Sequence, residues 1–345
     1  MTIERRDFSS LQSSWKPSDH PERERPIPMD ESWLLDPFKV PETVVDGSDT
    51  SSASASEEST YLWSDLLARR TALGLHPEVL AEVLDVDLAK YWSREAGNRG
   101  WVGGSLVEEL IAMETFVDQL VGMFVEADAD QAAADDDDEP IVLYAVGGQA
   151  EFEKAHPGAA TIRDKIAYPF TLQHVAVGRA AAELTRRGHR VEVYRTAGSD
   201  GRPDRRADLM VRRVAVGLTK NGAGVLLGLA KKKYYDWENG TKKAPASLGG
   251  GTLVPSSLLE ELQEIDDFIA DSAARLKVAD LADAGITMVG MLDSEEEFQK
   301  AYPDAKTLRD GIAYPLSVHR VAAARRAQQL QAGGASVRIV GVRRA

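Results

Sequence analysis

The chain contains one stretch of sequence twice. Glu151-Phe152-Glu153-Lys154-Ala155-His156-Pro157 returns as Glu297-Phe298-Gln299-Lys300-Ala301-Tyr302-Pro303, an offset of 146 residues. Without a gap, Thr161, Arg163, Asp164, Ile166, Ala167, Tyr168 and Pro169 match Thr307, Arg309, Asp310, Ile312, Ala313, Tyr314 and Pro315. From 151–196 to 297–342, about twenty of the 46 positions are identical. Upstream, Arg69-Arg70 with Gly74-Leu75 matches Arg212-Arg213 with Gly217-Leu218 at offset 143, and Leu106-Val107-Glu108-Glu109-Leu110 matches Leu258-Leu259-Glu260-Glu261-Leu262 at offset 152. The difference of nine is an insertion in the second copy, near Ser247-Leu248-Gly249-Gly250-Gly251. A repeat of about 140 residues is far longer than a solenoid unit of roughly 20–50. It fits a domain duplication or a fused dimer.

Three segments follow: a tail over 1–60, module 1 over 61–200 and module 2 over 201–345. The tail holds 6 basic and 13 acidic residues, and Ser48 to Thr60 is mostly Ser, Thr, Asp and Glu. Such a segment buries too little apolar surface to offset its ordering entropy, so disorder is predicted. Within it, Trp33, Leu35 and Phe38 sit among acids. They form a candidate docking motif for a protein partner, or else pack loosely on the chain's own domain. The acidic run Asp135 to Glu139 reads as a solvated loop.

Apolar spacing predicts a mainly α fold with small α+β subdomains, as a pseudo-twofold duplication. In module 2, helices are expected over Arg206 to Val216, Asn221 to Leu227, Ala230 to Glu238 and Pro255 to Leu276. Asn239-Gly240 stops the third. Module 1 repeats them near 61–73, 77–84, 87–95 and 105–126. The back halves, 140–196 and 286–342, read as β-α-α-β units, with strands at Ile141 to Val146 and Arg190 to Arg195. A long Ala-rich helix is expected near Ile162 to Arg187, kinked or restarted at Pro169. Two strands alone are marginal, so the two units are expected to share one sheet. Ala180-Ala181-Ala182 and Ala322-Ala323-Ala324 predict close helix packing between modules.

The chain has 345 residues, no Cys and a net charge of −14. Disulfides, thiolate metal sites and thiol catalysis are excluded. No apolar run reaches the ~20 residues of a membrane span, and Met1 to Phe8 lacks an apolar signal core. No membrane association is expected, and the location expected is cytoplasmic, on the nucleoid. The six histidines lack metal spacing and no phosphate-loop pattern occurs, so no cofactor, metal or catalytic residue is expected and the chain does not read as an enzyme. Glu108-Glu109 and Glu260-Glu261 read as exposed helix faces. Arg163-Asp164 and Arg309-Asp310 read as local ion pairs at a helix start.

Leu226-Leu227-Gly228-Leu229-Ala230-Lys231-Lys232-Lys233-Tyr234-Tyr235-Asp236-Trp237-Glu238-Asn239-Gly240 has helix-turn-helix logic. Gly228 permits a tight turn. Leu227, Leu229, Tyr234 and Trp237 face the preceding helices, and Lys231, Lys232, Lys233 and Asp236 occupy the other face. This segment resembles the Cro/C1 (XRE) helix-turn-helix family, whose turn reads Leu-Gly-Val-Ser and whose third helix ends Trp-Glu-Asn-Gly. The whole module resembles the uncharacterised YdiL-like group, which places such a motif before Phe-x-x-x-Tyr-Pro-Asp, here Phe298 to Asp304. The first resemblance implies a third helix that enters the major groove of duplex DNA. Module 2 departs from it at Gly224, where Ala is usual. Module 1 departs further. Asp85 replaces the turn Gly, Arg94 the packed Trp, and Leu88-Ala89-Lys90 the three lysines. Trp92 is expected to take over part of the lost packing.

Charge separates the copies. Residues 206–243 hold nine basic and three acidic side chains, +6, and residues 61–104 hold five and six, −1. Phosphate contacts dominate non-specific affinity. The candidate DNA-binding residues are therefore Lys231, Lys232, Lys233, Asp236, Lys242, Lys243, Arg212 and Arg213, with Lys90, Ser93, Arg94 and Arg99 as weaker candidates. The function expected is a phage- or prophage-type transcription regulator, repressor-like, that acts on double-stranded DNA mainly through the second motif over 206–276. The degenerate motif over 61–126 completes a tandem pseudo-dimer, and the oligomeric state stays open. The alternative is an antitoxin-like or host-modulating protein-interaction module with a relic motif.

Overall fold

The computed structural model describes residues 61–98, 102–132, 140–196, 205–239, 254–281 and 285–342. Trp33, Leu35, Phe38, Arg99, Lys242 and Lys243 lie outside the described residues, as does the run Asp135 to Glu139. The described chain is mainly helical, with two small sheets.

The front half of module 1 is α1 (Trp63–Ala72), α2 (Pro77–Val83), α3 (Leu88–Glu95) and α4 (Gly104–Ala132). Pro77 opens α2 at the first position, where its missing N–H leaves nothing unmet. Asp87 caps α3 by accepting the Lys90 N–H at 3.0 Å. The back half is β1 (Ile141–Ala145), α5 (Gln149–Ala155), α6 (Thr171–Arg186) and β2 (Val191–Arg195), followed by β3 (Arg205–Arg206).

Module 2 runs α7 (Asp208–Ala215), α8 (Lys220–Leu226), α9 (Lys231–Glu238) and α10 (Ser256–Arg275). Then come β4 (Val278–Leu281), β5 (Ile286–Leu292), α11 (Glu295–Ala301), α12 (Leu316–Ala332) and β6 (Ser336–Val342). Arg206 is in β3, so α7 starts two residues later than expected.

Each β-α-α-β unit is a parallel pair, β1 with β2 and β5 with β6. The expected shared sheet does not form. Among the described residues there are two separate three-stranded sheets, because each pair gains an antiparallel strand close by in sequence, β3 on β2 and β4 on β5. The expected long helix from Ile162 is also corrected to Thr171–Arg186. Residues 160–167 close a turn instead: Ala160 bridges Ala167, and Lys165 takes a φ of 56° that a helix cannot contain.

The modules interlock through their alanine-rich helices. The α6 helix lies on α7 so closely that a Cβ on Gly178 would fall 2.2 Å from the Val211 carbonyl oxygen. Ala68 and Ala72 of α1 share a core with Val321, Ala322 and Ala324 of α12, and Val214 of α7 shares one with Leu66, Val175 and Ala176. Arg179 donates to the Ala72 carbonyl and Arg325 to the Ala215 carbonyl, each at 3.1 Å, which satisfies groups that the ends of α1 and α7 leave open. Thus α1, α6, α7 and α12 meet at the centre, and α2–α3 and α8–α9 join that frame through α1 and α7. In each module, aromatic rings pin the back half to the last helix of the front half: Phe116 of α4 against Phe152 and Tyr168, and Phe268 of α10 against Phe298, Tyr302 and Tyr314.

Candidate nucleic-acid interface

The α9 helix begins after a turn at Gly228, whose φ of 62° suits glycine. Asp85 stands at the same place in module 1 and takes φ 49°, a region Asp enters more readily than most residues. The two turns therefore keep one geometry through different residues.

The turns are braced by residues whose role the sequence did not disclose. Glu109 is buried, and its carboxylate accepts the N–H groups of Ile162 and Arg163 at 2.8 and 2.9 Å. Arg163 then donates to the Leu84 carbonyl at 2.9 Å, at the end of α2. Glu261 does the same for Leu308 and Arg309 at 2.9 and 2.7 Å, and Arg309 donates to the Leu227 carbonyl. Glu109 and Glu261 are therefore not exposed helix face, although Glu108 and Glu260 are. The pairs Arg163–Asp164 and Arg309–Asp310 do form, at 2.6 and 2.5 Å, but in a turn rather than at a helix start. The available signal was the repeat itself, which carries Glu, Arg and Asp identically in both copies.

One face of α9 is anchored. Tyr234 is wholly buried, and Arg213 grips Glu238 with two hydrogen bonds, at 2.9 and 3.1 Å. Lys220 adds a contact to the same carboxylate at 3.2 Å. Burial alone would raise the Glu238 carboxyl, but Arg213 and Lys220 outweigh it and hold it below the usual carboxylate range. The paired fork fixes the end of α9 against α7 with a definite orientation. On the other face Lys231, Lys232 and Lys233 are exposed and Asp236 is half-buried. Lys233 Nζ lies 4.8 Å from the Trp237 ring centre and Lys231 Nζ 5.8 Å from that of Tyr235, so aromatic rings support two of the three cations.

Arg212 and Arg213 do not belong to this surface. Both are buried. Arg212 bonds Gln263 at 2.9 Å and Thr185 at 3.0 Å, and Arg213 bonds Glu238 and the Leu218 carbonyl. Their charge is bonded inside the fold, between the modules and onto α9. Charge and proximity in the sequence grouped them with the lysines, and the structure buries both.

In module 1 the anchor is retained and the face is changed. Tyr91 is wholly buried and Arg70 bonds Glu95 at 2.7 Å. Lys90 is exposed, Ser93 and Arg94 are half-buried, and Asp85 and Asp87 are exposed at the front of α3. Leu88 and Trp92 are 38% and 43% exposed. Trp92 thus points outward and does not replace the packing lost at Arg94, because the Tyr91–Glu95 side already fills the inner face.

Among the described residues no group of three or more His, Asp or Glu could hold a metal ion, and no helix is long and apolar enough to cross a membrane. No protein-family model, curated protein or solved structure matches the chain.

Proposed function

We propose that this chain is a sequence-specific DNA-binding regulator of repressor type. In this reading α1–α3 and α7–α9 are tandem helix-turn-helix units, and the second does most of the reading. The observation that carries it is the α9 surface: three consecutive exposed lysines at the start of a helix whose opposite face is locked by Tyr234 and the Arg213–Glu238 fork. A third helix so placed offers its N-terminal side chains to the major groove, with lysine able to donate to guanine or phosphate. Asp236 is one turn further along, where a carboxylate can accept from cytosine N4.

The test is selection of bound duplexes from a random-sequence pool by the full chain, followed by sequencing. A defined motif should be enriched, and it should vanish for a chain carrying Lys231→Ala, Lys232→Ala and Lys233→Ala.

A second reading attaches to module 1. The exposed pair Leu88 and Trp92 beside Asp85 and Asp87 favours a protein-facing role for α3, as in an antitoxin-like or host-modulating protein. The two readings can coexist in one chain, one per module.

A further inference from the structure

In module 2, β5 is flanked on both sides. The β6 strand runs parallel on one side and β4 antiparallel on the other, with Met288 opposite Ala279 and the Gly290 N–H donating to the Lys277 carbonyl at 3.0 Å. At the 146 offset, β1 is the counterpart of β5, with Val142 for Met288 and Tyr144 for Gly290. The β1 strand pairs with β2 alone, and among the described residues no strand occupies its outer edge. Ile141 N–H donates to Arg190 at 2.8 Å, and Ala145 C=O accepts from Thr196 at 2.9 Å. Residues 141, 143 and 145 therefore bond to β2, and Val142 and Tyr144 turn their backbone groups outward.

The Tyr144 carbonyl is already taken by Gln173 Nε2 at 2.8 Å. Among the described residues, the outward groups left without a partner are the Val142 N–H, the Val142 C=O and the Tyr144 N–H. Ile141 to Ala145 carries no charge, and Pro140 adjoins it at the start of the strand. The side chains of Val142 and Tyr144 are 39% and 56% exposed.

We propose that a second copy of this chain pairs with that edge, antiparallel, with Val142 opposite Val142. The two valines then exchange both hydrogen bonds across the twofold axis. Each Tyr144 N–H meets the Pro140 carbonyl of the other copy. Pro140 has no N–H, and the group it would face, the Tyr144 carbonyl, is the one Gln173 already serves. Every outward group finds a partner and none is stranded. The neighbouring register, Val142 opposite Tyr144, would ask the Tyr144 carbonyl for a second bond along the line that Gln173 holds. On the exposed face Val142 covers Val142 and Tyr144 covers Pro140, a β-branched and an aromatic cross-strand contact. The contact is isologous and closes at two copies, and it joins two three-stranded sheets into one of six. This pairing is independent of DNA binding. If the α9 reading holds, it also supplies two α9 helices related by a twofold axis.

The chain has no cysteine, so one introduced thiol reports one position. Facing residues of a hydrogen-bonded pair have Cα atoms about 5.5 Å apart, within disulfide range. In the proposed register the two Tyr144 residues lie four residues apart along the ribbon, roughly 13 Å. Under mild oxidation of the full chain, Val142→Cys should give a disulfide-linked dimer and Tyr144→Cys should not. In sedimentation velocity without DNA, the parent chain should show a monomer–dimer equilibrium, and Val142→Lys should remain monomeric with unchanged far-UV circular dichroism. A parent chain monomeric at every concentration, or Tyr144→Cys cross-linking as fast as Val142→Cys, overturns the proposal.

Discussion

Asp65 Oδ1 accepts the backbone N–H of Ile339 at 2.9 Å, across 274 residues of sequence. The start of α1 is thereby tied to β6, the last strand. Asp208 Oδ1 accepts the Val193 N–H at 3.0 Å and ties the start of α7 to β2 in the same way. The two bonds correspond under the repeat, 65 with 208 and 193 with 339. Each module thus docks its first helix on the other module's last strand, and the duplication closes on itself.

Asp65→Ala should therefore loosen both modules at once. It strands the N–H groups of Ile339 and Leu62 and removes a carboxylate beside the buried Arg69. A loss of about 2–4 kcal/mol is expected in urea unfolding. Hydrogen exchange at the Ile339 amide should rise in step. Asp208→Ala should act similarly, with the rise at Val193. An effect confined to one module would contradict the reciprocal docking.

Two glycine-to-alanine changes should have opposite signs. A Cβ on Gly224 would sit 3.6 Å from the Tyr234 Cβ, an ordinary contact, so Gly224→Ala should gain about 0.5–1 kcal/mol from helix propensity. A Cβ on Gly178 would meet the Val211 carbonyl oxygen at 2.2 Å, backbone that cannot turn aside. Gly178→Ala should cost about 3 kcal/mol or more by pushing α6 off α7. Thermal unfolding of the two variants decides both.

What the sequence disclosed depended on range. The helices of the front halves, the turn at Gly228 and the inward placement of Leu227 and Tyr234 follow from local periodicity and left-handed glycine, and they are where the spacing put them. The close packing of Ala180 to Ala182 and Ala322 to Ala324 was legible because only small residues allow it. The fates of Arg212, Glu109 and Glu261 were not. Each is a charged residue on a helix, and nothing local distinguishes an exposed charge from one that meets Gln263, or the loop at 162–163, from far along the chain. The third strands escaped too, since Arg205–Arg206 is a strand only because β2 offers it an edge.

Stability should fall in mild acid. Burial lowers His174 to about 4, against the bond its ring makes to the Val146 carbonyl. Burial, helped by Arg70, Arg213 and Lys220, lowers His76 to about 4 as well. Unfolded, both protonate near 6.5. Between these values the unfolded chain binds more protons, so the contribution of each histidine is lost as pH drops from 6.5 towards 4. Asp65 acts in the opposite sense. Burial raises its carboxyl from 3.8 to about 6, so the folded chain takes up that proton first and offsets roughly one histidine. These three groups together should cost about 3 kcal/mol between pH 7 and 4. Urea unfolding at several pH values measures it, and a chain carrying His76→Gln and His174→Gln should show a slope reduced or reversed.

The two modules should contribute unequally to DNA affinity. Lys231, Lys232 and Lys233 are exposed on a helix that Glu238 and Tyr234 hold rigid, so their charges are presented without an ordering cost in the backbone. Each phosphate contact releases counterions and adds about 0.9 to the slope of log K against log salt. Replacing all three by Ala should flatten that slope by about 2–3 and weaken binding by orders of magnitude at moderate salt. Lys90→Ala with Arg94→Ala should do far less, because exposed Asp85 and Asp87 at the front of α3 already repel a phosphate backbone. Fluorescence anisotropy with one selected duplex over a range of salt separates the two variants. If the module 1 pair weakens binding as much as the α9 triple, both units read DNA as equals. If neither changes binding to any duplex, α9 is not the DNA-reading surface and the protein-facing reading of α3 takes its place.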